Sequence, residues 1–143
     1  MIRLIKHQDI VKIYEEIDGS REGLAPLVWA ENTTMESLKE FLDCKIDSVN
    51  HKLYGIFDED CFCGCIELRN KGGHDEVDYW LGVRYRGVGL MNKSLVDLMS
   101  LNVGRIFKAK VRHENLKSKN TLITAMNMKV ESEDDEWIYL STQ

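Results

Sequence analysis

Residues Val77 to Met99 read V-D-Y-W-L-G-V-R-Y-R-G-V-G-L-M-N-K-S-L-V-D-L-M. Val77–Val83 is rich in β-branched and aromatic residues and predicts a strand. Arg84-Tyr85-Arg86-Gly87-Val88-Gly89 is a loop with two glycines. Leu90, Met91, Leu95, Leu98 and Met99 then recur at helical spacing and predict a helix. A helix that begins directly after such a loop turns unpaired backbone N–H groups and the positive end of its dipole into it. Two glycines let backbone come close to an anion, and Arg84 and Arg86 add full charges. The stretch therefore predicts a phosphate-binding loop. It is neither the dinucleotide fingerprint G-x-G-x-x-G nor the P-loop G-x-x-x-x-G-K-[ST].

The rest of the chain organises around that unit. Met1–Lys6 predicts a first strand, with Ile2 and Leu4 on one face. Gln8–Ile17 predicts a short helix with Ile10, Val11, Ile13, Tyr14 and Ile17 on its apolar side, ended by Asp18-Gly19-Ser20. A loop follows that carries Pro26 and Trp29. Thr33 or Thr34 is placed to cap a second helix that runs to about Lys45 and on to Val49, with Leu38, Phe41 and Leu42 as its apolar side. His51–Phe57 and Cys61–Leu68 predict a hairpin across Asp58-Glu59-Asp60; Gly64 inside the return strand points to a bulge or a close backbone approach. Asn70–His74 is a turn. Ile106–Val111 predicts a strand parallel to the Val77 strand, because a helix separates them. Leu116–Met126 predicts a helix, and Lys129–Glu131 and Trp137–Ser141 two closing strands. The order β-α-α-β-β-β-α-β-α-β-β predicts an α+β, mixed α/β domain and not a doubly wound parallel sheet.

The length of 143 residues allows one domain, 1–143, with a real core. No apolar run nears the ~18 residues that span a membrane, and the N-terminus lacks the h-region of a signal peptide. A net charge of −5 argues against non-specific nucleic-acid binding. Cys61, Cys63 and Cys65 alternate along one strand and so share a face. Neighbours two apart on a strand do not meet disulfide geometry, and no histidine stands at ligand spacing, so buried free thiols in a reducing cytoplasm are expected, with no metal. A metal or redox role for these three cysteines is the weaker alternative.

Arg84-x-x-Gly87-x-Gly89, between a strand and a helix, resembles the acetyl-CoA loop of the GNAT acyltransferase superfamily. Asn115-Leu116-Lys117-Ser118-Lys119-Asn120 resembles the N-x-x-S-x-N segment of its RimL/RimJ-type branch, the ribosomal-protein N-terminal acetyltransferases. The strand D-Y-W-L-G and the segment L-A-P-L-V-W-A-E-N-T-T-M-E-S-L-K-E-F-L are similar to that branch too. The resemblance covers nearly the whole chain. It implies a central, mostly antiparallel twisted sheet with one splayed parallel pair and helices on both faces. It implies that acetyl-CoA inserts between the splayed strands against the backbone of Leu81, Gly82 and Val83. Its pyrophosphate would lie on backbone N–H groups of Arg86, Gly87, Val88, Gly89 and Leu90, and Asn115 would contact the cofactor arm. A primary amine, on a protein N-terminus or a small molecule, would attack the thioester directly. The resemblance also allows a homodimer.

Two proton transfers need side chains. Many relatives use a tyrosine on the last helix as general acid, and none lies between Asn115 and Asn127. The resemblance passes that role to Ser118; helix capping is the alternative for Asn115 and Ser118. For the general base, Glu133 is the first candidate by position in the last loop, with Glu131, Asp135 and Glu136 behind it and a solvated acidic turn as the alternative. Asp78 is a second candidate: alternation puts it with Trp80 and Gly82 on one face, and an aromatic neighbour favours the neutral carboxyl. Glu67 also stands to face the substrate; His113 and Glu114 read as exposed loop. The acidic composition favours a cationic acceptor. A CoA-binding sensor or subunit without catalysis is the other function that fits the missing tyrosine and the short acidic loop.

Overall fold

The computed structural model of the chain describes residues 1–22 and 31–143. Pro26 and Trp29 lie outside the described residues. Seven strands form one sheet: β1 (Ile2–Leu4), β2 (His51–Asp58), β3 (Cys61–Asn70), β4 (Asp75–Leu81), β5 (Phe107–Arg112), β6 (Lys129–Glu133) and β7 (Trp137–Ser141). Their order is β1-β2-β3-β4-β5-β7-β6, and every pair is antiparallel except β4–β5. The α-helices whose two ends both lie among the described residues are α1 (Ile10–Ser20), α2 (Met35–Ile46), α3 (Leu90–Leu101) and α4 (Leu116–Met126). The expected element order and mixed class are observed. Among the described residues no helix is long and apolar enough to cross a membrane.

Two cores lie on opposite faces of the sheet. One joins Leu95 and Leu98 of α3 and Leu122 and Met126 of α4 to Ile66, Val77, Phe107 and Leu140. The other joins Ile13 and Ile17 of α1 and Leu38 and Leu42 of α2 to Leu53, Phe57, Phe62 and Cys65. Each such buried side chain contributes about 1.5–3 kcal/mol.

Several boundaries move for local reasons. The Gln8–Ile17 helix starts later, after a short 3-10 turn at His7–Asp9, and continues through Asp18-Gly19-Ser20. The extension is held because Ser20 Oγ donates to Glu16 Oε2 at 3.0 Å and accepts from the Val83 N–H at 3.1 Å. Val11 is exposed, off the apolar side. Thr34, not Thr33, caps α2, in a reciprocal pair with Ser37; the helix stops at Ile46, short of Val49. The Val77–Val83 strand is shifted to Asp75–Leu81, and Val83–Tyr85 forms a 3-10 turn.

The shared-face reading of the cysteines is corrected. Ile56 pairs with Gly64 but Phe57 pairs with Phe62, so β3 carries one extra residue there. Cys63 therefore packs in the α3/α4 core and Cys65 in the α1/α2 core, while Cys61 is exposed. Gly64 is also the close approach that its position suggested: a Cβ there would stand 2.3 Å from the Trp80 carbonyl oxygen.

Candidate active site

The loop between β4 and α3 is built around two left-handed glycines. Gly87 has φ 83° and Gly89 φ 78°, a region that side chains rarely adopt. Among the described residues nothing lies within 4 Å of a Cβ built at either glycine. Gly89 is the N-cap of α3, and among the described residues no side chain caps that end. The first helical bond runs from Lys93 N–H to Gly89 C=O at 3.1 Å, which leaves the Leu90, Met91 and Asn92 N–H groups ahead of it, at the positive end of the helix dipole.

The two arginines stand differently from the expectation that both charges face the anion. Arg84 pairs with the buried Glu16 of α1 at 2.9 Å. Arg86 Nε donates to the Leu81 carbonyl at 3.0 Å. The Arg86 N–H turns to the Val83 carbonyl at 3.4 Å. Both side chains have protein partners here, and the N–H groups at the α3 N-terminus are what the loop offers to an anion.

Next to the loop the sheet opens. β4 and β5 pair only at Asp75–Phe107 and Glu76–Lys108. The Asp75 N–H donates to the Ile106 carbonyl, while the Gly82 N–H donates to the Cys63 carbonyl on the other side. Backbone direction alternates along a strand, so Val77, Tyr79 and Leu81 turn their amide groups to the gap. Of the expected Leu81–Val83 contacts, Leu81 C=O, Gly82 N–H and Val83 N–H already have protein partners. The edge that the gap offers is centred on Tyr79, two residues earlier.

Side chains of β4 and α4 meet at this gap. Tyr79 Oη lies 2.7 Å from Ser118 Oγ, in the first turn of α4, and 3.3 Å from the Ser118 carbonyl. Burial pushes the Tyr79 phenol up from its ordinary value, and the Ser118 hydrogen bond partly offsets this. Asn115 Oδ1 accepts from the Ser118 N–H at 3.2 Å and is the cap of α4. The capping alternative thus describes Asn115, whereas the Ser118 hydroxyl is turned to Tyr79. The tyrosine absent from α4 thus has a counterpart on β4 that no local motif marks.

On the other face a cavity of about 750 Å³ opens between α1, α2 and the sheet. Its lining includes Leu38, Phe41, Trp80, Tyr79, Glu67 and Asp78. Glu67 and Asp78 sit directly opposite each other on β3 and β4. Arg69 joins them, bonding Glu67 at 2.7 Å, Glu76 at 3.1 Å, and Asp78. Lys45 reaches Glu67 at 3.8 Å. Among the lining residues the carboxylates of Glu67 and Asp78 stand against one cation, Arg69, which leaves this wall negative. Its carboxylates raise Arg69 above its ordinary value, against the opposing effect of burial. Asp78 shares its face with Trp80 as alternation implied, but its carboxylate is ion-paired.

The last-loop candidates lie elsewhere. Glu133 is exposed on β6, the edge strand, paired with Ile138. Ile138 is in the α3/α4 core, so Glu133 projects to that face, away from the cavity. Three strand intervals, roughly 14 Å, separate β6 from β4. Glu131 pairs with Lys108 at 3.1 Å, and Glu136 approaches Arg112 at 4.0 Å. Asp134 organises the turn, accepting from the Glu136 and Trp137 N–H groups and the Tyr139 hydroxyl; these bonds hold its carboxyl below the usual range. His113 is held at the Asp134 carbonyl, 2.6 Å away.

A glycine loop opening α3, a parallel pair that splays, and a cavity under α1 and α2 together define the GNAT acetyltransferase fold. Solved structures that share it include RimL, a ribosomal L7/L12 α-N-protein acetyltransferase, in complex with coenzyme A. That structure superimposes with a TM-score of 0.89 at 18% identity, over 98% of this chain and 91% of its own. Microcin C7 self-immunity acetyltransferase MccE, with acetyl-CoA and AMP, gives 0.83 at 14% identity, over 98% and 91%. Spermidine N-acetyltransferase from Vibrio cholerae, with CoA and spermine, gives 0.78 at 13% identity, over 99% and 93%. No family model and no curated protein sequence matches this chain.

Proposed function

We propose that this chain is an N-acetyltransferase that moves an acetyl group from acetyl-CoA to a primary amine. One observation carries the reading: a helix N-terminus that no side chain caps among the described residues, a strand gap and an acidic cavity are contiguous through β4. The residues fit the cofactor. The α3 N-terminus and the glycine loop suit a pyrophosphate, and the Tyr79 edge of β4 suits an amide-bearing arm. Acetyl-CoA supplies the activated thioester; the protein orients it and manages protons.

The acceptor enters from the α1/α2 cavity. Its negative wall favours an ammonium, and the lone pairs of Asp78 and Glu67 are the base on that side, directly or through water. Asp78 and Glu67 replace Glu133 in this role, because Glu133 projects to the opposite face. On the α4 side, the Ser118 hydroxyl is placed to give its proton to the departing sulfur. Backbone N–H groups at the gap stabilise charge developing on the carbonyl oxygen. The acceptor class covers protein N-termini and small amines. Four free cysteines fit a reducing cytoplasm.

The test is calorimetric CoA binding together with thiol release from acetyl-CoA against a panel of amines and N-terminal peptides. Micromolar or tighter binding with turnover of one acceptor class supports the reading. Binding without turnover of any acceptor would favour a catalytically silent CoA-binding domain.

A further inference from the structure

Tyr79 belongs to both sides of the site. The residue is part of the acceptor cavity's lining, while its ring packs against the α3/α4 core and its hydroxyl meets Ser118 Oγ at 2.7 Å. The helix does not need that hydroxyl: Asn115 already caps the Ser118 N–H. A packed tyrosine needs one partner for its O–H, which any backbone carbonyl would satisfy. Here the nearer partner is a second hydroxyl, so two exchangeable protons stand in series across the gap.

We propose that Tyr79 and Ser118 form a proton relay from the acceptor nitrogen to the leaving sulfur. Resting on the transferase reading, it gives Tyr79 a catalytic role in that same site. The acceptor first loses one proton, as an ammonium, to the carboxylate side. As its nitrogen bonds the carbonyl carbon and the C–S bond breaks, the electron pair of that bond leaves on sulfur. The nitrogen's surplus proton passes to Tyr79 Oη, the Tyr79 proton passes to Ser118 Oγ, and the Ser118 proton passes to sulfur. Tyr79 and Ser118 end neutral, and the products are amide and thiol. Burial keeps the phenol protonated at neutral pH, as a relay member must be.

Turnover of Tyr79→Phe, Ser118→Ala and the double variant tests the relay, with the solvent-deuterium proton inventory of the wild type. Tyr79→Phe keeps the ring and should lower kcat about 100-fold. KM for acetyl-CoA and the Kd of CoA should stay within about twofold, since the lost contact acts only in the transition state. Ser118→Ala should cost a similar factor, and the double variant no more than the worse single. The wild-type inventory should be curved, with more than one proton in flight, and linear in Tyr79→Phe. An undiminished kcat in Tyr79→Phe, losses that multiply, or a linear wild-type inventory would each overturn the relay and leave the transferase reading standing. A wild type that turns over no acceptor would overturn both.

Discussion

At the scale of single residues, the glycine loop makes the sharpest demand. Gly89→Trp places an indole beside the α3 N-terminus and strains a φ of 78°. Calorimetry should show CoA binding abolished, whereas Gly89→Asn, which tolerates the left-handed region, should retain measurable binding. Unchanged affinity in the tryptophan variant would remove the loop from the cofactor site. Asp78→Asn should lower kcat for amine acceptors by about 10- to 100-fold with CoA affinity unchanged, read from steady-state kinetics. The loop was legible because glycines, a strand and a helix stand next to one another in the chain. Tyr79 was legible only as a member of the odd-numbered face of β4. Its meeting with Ser118 depends on how α4 seats against the sheet, a contact across 39 positions that no local pattern encodes.

At the scale of elements, alternation read the strands well until a bulge intervened. In β3 the extra residue near Gly64 separates Cys63 from Cys65. In β6 the shift between Val130 and Ser132 turns Glu133 to the α3/α4 face. Without it, Glu133 would share the face of the cavity, which is where simple alternation puts it. One extra residue inverts every side chain beyond it, so neither the cysteine faces nor the face that Glu133 takes could be read from local pattern. The Gly64 bulge also supports the site. Gly64→Ala would drive a methyl into the Trp80 carbonyl, so it should cost about 1–3 kcal/mol in chemical denaturation and displace β4 where the gap begins. A variant as stable and active as the wild type would show that this approach is not constrained.

At the scale of the whole molecule, the sheet is clamped between two cores; element order made the mixed class legible, and the mostly antiparallel sheet was implied by the family resemblance. Leu95 is fully buried in the α3/α4 core, and Leu95→Ala should lower stability by about 2–5 kcal/mol, measured by denaturant unfolding. Acid stability rests partly on Asp9, which is buried and bonded to Arg3 at 2.9 Å. The Arg3 hydrogen bond holds its carboxyl below the ordinary 3.8. A depressed folded pKa adds stability above the unfolded value, lost as pH falls through the folded one. Asp9→Asn should therefore flatten the loss of stability below about pH 4, seen in unfolding curves taken across that range; an unchanged acid limb would place the titration elsewhere. The claim that joins all three scales is acetyl transfer through the β4–β5 gap. Thiol release from acetyl-CoA in the presence of an amine and N-terminal peptide panel tests it most directly. The account predicts acceptor-dependent release by the wild type, reduced about 100-fold in Ser118→Ala. No acceptor-dependent release, with no binding of CoA, would contradict it.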